Sequence, residues 1–143
     1  MDIVIMAVII GMWDTMDNET LKEALIIMKK FKKMKPYRDN LEKRQQKFLW
    51  LNKQLSRCFG IQEPKLIFQI DENKHSGHSC YIPLLHTIIL KGRLSVITYL
   101  HEFGHALGLN QDDANKFAYF LFSKTFPILW SKLKFKNGLM VKE

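Results

Sequence analysis

The sequence has too few cysteines for a disulfide-stabilised protein. Cys58 and Cys80 are its only cysteines among 143 residues, and they form no C-x-x-C pair. Small secreted domains that lack a large core usually carry many disulfides. One bridge between these two residues stays open as an alternative, but a reducing compartment is the expectation.

The chain also lacks a hydrophobic run of the length that crosses a bilayer. The apolar stretch from Ile3 to Trp13 is shorter than the roughly 20 residues of a transmembrane helix. Asp2 stands where a signal peptide would carry positive charge, and no clear cleavage site follows. We predict a buried strand or helix here and no membrane span. A membrane-touching segment or a cleaved leader is the alternative.

Repeats and low-complexity tracts are absent as well, while 47% of the residues are hydrophobic and 12% aromatic. This composition favours one packed domain over residues 1–143 and argues against disorder. We expect a mostly helical part at 1–60, a small sheet with further helices at 61–127, and a C-terminal tail at 128–143. The predicted fold class is α+β.

Local patterns place the individual elements. Thr20 to Glu23 fits a capping box for a first helix that ends before Pro36, and a second helix runs from about Asp39 to Phe59. Strands are predicted at Leu66–Ile70, Cys80–Ile82 and Thr87–Leu90. The last of these is expected at a sheet edge, where it could pair with an extended peptide.

Two more helices follow the strands. One begins near Ser95 and is broken by Gly108, and the other runs from near Asp112 toward Phe126, with Pro127 behind it. Ala114, Phe117, Ala118 and Leu121 recur at helical spacing and predict the buried face of that last helix.

A formal net charge of +8 comes largely from lysines. Lysines at 29, 30, 32, 33 and 35 lie on the first predicted helix, and those at 132, 134, 136 and 142 lie near the C-terminus. A solvated face is the ordinary interpretation. The alternative is attraction to nucleic acid, an anionic surface or an acidic substrate.

The sequence His101-Glu102-Phe103-Gly104-His105 has the form H-E-x-x-H. Residues four apart share a helical face, so His101 and His105 can hold one Zn²⁺ ion. Catalytic zinc keeps one position for water, and Glu102 is the predicted general base that acts on this water. Gly104 is expected to let a neighbouring backbone approach closely.

The third metal ligand is less well specified. Catalytic zinc sites usually have three protein ligands, and no histidine follows His105. On a regular final helix Asp113 lies about a quarter turn from the core face and Asp112 about half a turn. Asp113 is therefore the predicted ligand. Other ligands stay open: Asp112, which could also be the N-cap, the inward-pointing Gln111, the amide oxygen of Asn110, the distant Glu143, or a ligand from a partner.

Several other polar residues could serve the site. His75 and His78 are predicted in an exposed loop, with a position at the rim of the site as the alternative, and His86 is predicted at the surface or an edge. Tyr99 and Tyr119 are expected to pack in the core, although a phenol could also stabilise an oxyanion.

The motif and the helix after it resemble the ImmA/IrrE family of zinc metallopeptidases. Members look like H-E-L-G-H followed by a helix of the type E-x-E-A-N-x-F-A-x-x-L-L that ends near a proline. The likeness covers Ile82 to Pro127. Here the interval between the two motifs is shorter, the first acidic position falls on Gln111 and the second on Asp113.

This resemblance implies a minimal zincin-like domain, with the motif on one helix and the next helix backing it. It implies a cytoplasmic, site-specific peptidase whose peptide or protein substrate could be a transcriptional repressor. The alternative function is a non-catalytic module with a degenerate zincin site, which binds zinc, or binds nucleic acid or protein through its basic residues.

Overall fold

A computed structural model describes residues 16–72, 78–136 and 139–142 of the chain. The apolar run from Ile3 to Trp13 and His75 lie outside these residues, so the predictions made for them stay predictions. The described part is a small α+β domain with five α-helices, a three-stranded mixed sheet and a C-terminal hairpin. It confirms the coarse fold class.

Two long helices come first. Helix α1 spans Asn18–Lys33 and helix α2 spans Leu41–Phe59. The predicted capping box at Thr20 is wrong, because Asp17 takes the N-cap position and its carboxylate accepts from the backbone N–H of Glu19. Helix α2 ends at Gly60, whose φ of 66° lies in the left-handed region that glycine adopts without strain.

The sheet differs from the prediction in one important respect. Strands β1 (Lys65–Ile70), β2 (Cys80–Ile82) and β3 (Thr87–Gly92) are ordered β1-β3-β2. Strand β3 pairs in parallel with β1 and antiparallel with β2, so it is central. The expectation of an edge position for β3 is wrong, and β2 provides that edge instead.

The motif-bearing helix and its neighbour form a tight pair. Helix α3 spans Val96–Ala106 with Ser95 as its N-cap, and helix α4 spans Gln111–Thr125. Gly108 sits between them with a φ of 94°, which turns the chain back within a few residues. The N-cap of α4 is Asn110, not Asp112. The predicted core face of α4 is confirmed, since Ala114, Phe117, Ala118 and Leu121 are all fully buried.

The segment expected as a tail contains regular structure. A short helix α5 covers Pro127–Ser131, and strands β4 (Leu133–Lys136) and β5 (Leu139–Lys142) pair as an antiparallel hairpin.

A buried polar network ties α3 to the rest of the domain. The Tyr99 hydroxyl donates to Oδ1 of Asn52 at 2.8 Å, and the Asn52 amide donates to the carbonyl of Pro64 at 2.8 Å. Tyr99 and Asn52 are fully buried and Pro64 is buried, so the whole network lies inside the core. Buried polar groups that are fully paired favour one arrangement of the core. The network therefore fixes α3 against α2 and the segment that enters β1.

Among the described helices, none is both long and apolar enough to cross a membrane. Cys58 and Cys80 are free thiols.

Candidate metal centre

Helix α3 brings both motif histidines to one point. The Nε2 atoms of His101 and His105 lie 3.1 Å apart, and the two rings are nearly perpendicular with centroids 4.7 Å apart. Together with Glu102 they form a group of side chains that could hold a metal ion. The predicted convergence of the two imidazoles is therefore present in the fold.

Gln111 adds a third atom to the two nitrogens. Its Oε1 lies 3.2 Å from Nε2 of His101 and 3.0 Å from Nε2 of His105. Gln111 is the first residue of α4, so the short connection between the two helices places it opposite the histidines. The two nitrogens and the oxygen form a nearly equilateral triangle.

The size of this triangle can be compared with a zinc site. A tetrahedron with zinc–ligand bonds of about 2.0–2.1 Å has edges of about 3.3–3.4 Å. The three observed separations of 3.0–3.2 Å are slightly shorter than these edges. Imidazole nitrogen is a common zinc donor, and side-chain oxygen, which is a harder donor, also coordinates divalent ions. The residues present therefore fit one Zn²⁺ ion.

A carbonyl oxygen fixes the orientation of the His105 ring. Nδ1 of His105 lies 2.9 Å from the carbonyl oxygen of Leu109, which can only accept, so Nδ1 carries the ring proton. In the neutral ring, Nε2 then presents a lone pair to the triangle. Histidine ligands in metal sites commonly have such a partner on the far nitrogen.

The surroundings of His101 favour its neutral form. Burial lowers its pKa, and the neighbouring His105 lowers that pKa further. Hydrogen bonds with the side chains of Gln111 and Asn115 act in the opposite direction. The net lowering favours the uncharged imidazole, which is the form that binds metal.

Glu102 lies beside the histidines with only 7% of the residue exposed. Its Oε2 is 4.0 Å from Nε2 of His101. Burial raises the pKa of Glu102, while the electrostatic interaction with His105 and a hydrogen bond from the Tyr81 backbone N–H lower it in part. A raised pKa makes a carboxylate a better proton acceptor.

His101, Glu102 and His105 line a cleft of about 670 Å³. Strand β2 and the residues on either side of it form one wall, through Ser79, Cys80, Tyr81 and Pro83. Helix α3, the turn after it and the start of α4 form the other walls. Clefts of this size accommodate small ligands or short peptide segments.

The structure places the predicted third ligand elsewhere. Asp113 is buried at 2% exposure in the first turn of α4, where its backbone N–H donates to Oδ1 of Asn110. Neither Asp113 nor the exposed Asp112 lines the cleft or belongs to the group that could hold a metal ion. The assignment of Asp113 thus gains no support from these positions, whereas the side-chain oxygen of Gln111 lies beside both histidine nitrogens.

Sequence reasoning missed Tyr81, whose backbone N–H bonds Glu102. Its hydroxyl donates to Nδ1 of His86 at 2.7 Å, and Nε2 of His86 donates to the carbonyl of Gln62. His86 is half-buried and has a φ of 44° in the turn between β2 and β3. No sequence signal connects these residues, because the contacts depend on the position of β2.

The remaining polar predictions have clear outcomes. Tyr99 packs in the core, as expected. Tyr119 packs against Trp130 and does not line the cleft, and His78 is exposed outside it. The five lysines at 29, 30, 32, 33 and 35 are all exposed.

Gly104 allows the close approach of α3 and α4. A Cβ atom at this position would lie 3.1 Å from both Cα and Cβ of Ala114 and 3.4 Å from the Phe117 ring. The predicted role of Gly104 in backbone approach is confirmed. Because Ala114 is one turn from Gln111, this contact also sets the distance between Gln111 and the histidines.

Gly104→Ala is expected to destabilise the fold by up to about 2 kcal/mol. Overpacking against the α4 backbone costs about 1–3 kcal/mol, and the roughly 1 kcal/mol that alanine gains over glycine in a helix offsets part of this cost. Urea unfolding of the metal-free protein measures the change. Gly104→Ser should cost more than Gly104→Ala, and a stabilised Gly104→Ala variant would contradict the close contact.

Comparison with known proteins identifies no relative. No protein-family model matches the chain, and neither the curated proteins nor the solved structures contain a significant match.

Proposed function

We propose that this protein is a zinc-dependent metallopeptidase. The observation that carries the proposal is the convergence of His101, His105 and Glu102 at a cleft, with the two imidazole nitrogens 3.1 Å apart. A raised pKa at Glu102 and a neutral His101 support the same chemistry, since hydrolysis needs a base and zinc needs unprotonated ligands.

Each side chain has a distinct role in this proposal. His101 and His105 hold the ion, and the Leu109 carbonyl keeps His105 in the binding tautomer. A bound Zn²⁺ supplies Lewis acidity that polarises the scissile carbonyl and acidifies water. Glu102 accepts the proton of the attacking water and later donates it to the leaving amine. The Tyr81 N–H holds the Glu102 carboxylate in place during both transfers.

Strand β2 is the surface along which a substrate peptide would lie. It forms a wall of the cleft and occupies one edge of the sheet. Within the described residues only β3 pairs with it. An extended peptide can add to such an edge through main-chain hydrogen bonds. This arrangement would present a peptide bond to Glu102 and the histidines.

The resemblance of the motif and α4 to the ImmA/IrrE family supports a regulatory substrate. On that basis the proposed substrate is a protein cleaved at a specific site, and a transcriptional repressor is one such protein. The order of the motif helix α3 and the backing helix α4 supports this part of the proposal.

Metal removal tests the proposed activity. Zinc content of the purified protein should be one ion per chain, and a chelator should abolish cleavage of a mixed peptide library followed by mass spectrometry. Restored zinc should restore cleavage. Stoichiometric zinc without any cleavage would favour the non-catalytic zinc-binding alternative, and no bound zinc would exclude the metallopeptidase.

A further inference from the structure

The triangle at the centre of the site contains more acceptors than protons. His105 donates its only ring proton to the Leu109 carbonyl, so its Nε2 is an acceptor in the neutral ring. Oε1 of Gln111 is also an acceptor and lies 3.0 Å from that nitrogen. Two lone pairs at this separation repel each other, and the repulsion is removed by a cation between them or by a reversed Gln111 amide whose NH₂ group faces His105.

His101 cannot resolve this conflict by itself. In its neutral form the ring carries one proton, which can serve His105 or Gln111 through Nε2 but cannot satisfy all three contacts of the triangle. A cation bound among the three atoms would satisfy both nitrogens and the oxygen at once.

We infer that the Gln111 side-chain oxygen is the third protein ligand of the metal ion. This inference rests on the proposed function for the existence of the ion, and it replaces the carboxylate that sequence reasoning favoured. Asn115 lies one turn further along α4 and bonds His101, so the same helical face that offers Gln111 also orients the first histidine.

A neutral third ligand changes the electrostatics of the centre. Two imidazoles and an amide leave the full double charge of the ion uncompensated, whereas a carboxylate would remove one unit. The nearest carboxylate, Glu102, is held by the Tyr81 N–H. Metal affinity rises with the negative charge of the ligand set, so this centre should bind zinc more weakly than one with an acidic ligand.

The test compares zinc affinity across variants of the full chain, measured by competition with a chromophoric chelator. Gln111→Ala should weaken binding by more than about 100-fold, since even an outer partner of a metal ligand contributes about 10–100-fold. Gln111→Glu should tighten binding by at least about tenfold, because a carboxylate replaces the amide oxygen at nearly equal size.

Asp113→Asn and Asp112→Asn are the matched controls, and both should leave zinc affinity unchanged. Thermal melting in chelator shows that each variant folds. Unchanged zinc affinity in Gln111→Ala, or a loss of affinity confined to Asp113→Asn, would overturn the assignment of Gln111. In either case, zinc binding by the unaltered protein would leave the proposed function standing. If the unaltered protein binds no zinc, the proposed function fails first.

A hydrogen-bonding role for Gln111 gives a different pattern. An amide that only bridges the two rings would lower the melting temperature of the metal-free protein when removed, and Gln111→Glu would bring no gain in zinc affinity. That combination contradicts the inference.

Discussion

Replacing Glu102 with Gln is expected to lower kcat by about 10²–10⁴-fold, the usual contribution of a positioned general acid–base group. Glutamine has nearly the same shape and can still accept from the Tyr81 N–H, so the local geometry should persist. It cannot take a proton from water. Steady-state hydrolysis of a substrate peptide measures the change, with zinc content determined on the same samples.

Glu63→Gln provides the matched control, because Glu63 is an exposed carboxylate outside the cleft. It should leave kcat unchanged. A Glu102→Gln variant that retained full activity and full zinc content would remove Glu102 from the mechanism. Loss of zinc in that variant would instead indicate that Glu102 ligates the ion.

His101→Ala and His105→Ala should each weaken zinc binding by more than about 100-fold, since a direct ligand contributes more than the roughly 10–100-fold of its outer partners. Hydrolysis should be lost with the metal. Competition titration gives the affinity, and melting in the presence of chelator gives the stability of the apo fold.

His78→Ala is the control for these two variants, because this histidine is exposed and does not line the cleft. Its zinc affinity and activity should match the unaltered chain. Zinc held at unchanged affinity by both motif variants would place the metal site elsewhere in the protein.

The helices and the motif geometry could be predicted because their signals are local. The spacing of four residues between His101 and His105 places both on one helical face. Ser95 begins helix α3 and Gly60 ends helix α2, each through hydrogen bonds with nearby backbone groups. The buried face of α4 likewise follows from its periodicity. Such patterns need no knowledge of the tertiary fold.

The errors have two sources. The expectation of an edge position for β3 came from common zincin architecture and not from its residues, and β3 is central because β1 and β2 pair with its two sides. Asn110 and Asp112 are both residue types that cap helices, and Asn110 takes the N-cap position of α4. The helix therefore begins at Gln111, which faces the histidines, while Asp113 lies in the buried first turn.

The abrupt turn at Gly108 has a consequence for how the protein folds. Both imidazoles and the Gln111 oxygen belong to the continuous segment 101–111, so bringing them together closes only a very short loop. An ion could therefore be captured by a nascent helical hairpin before the sheet assembles. Any affinity of the unfolded chain for zinc reduces the stabilisation that the ion gives to the native state. Zinc should thus raise the melting temperature less than its affinity for the folded protein alone would indicate.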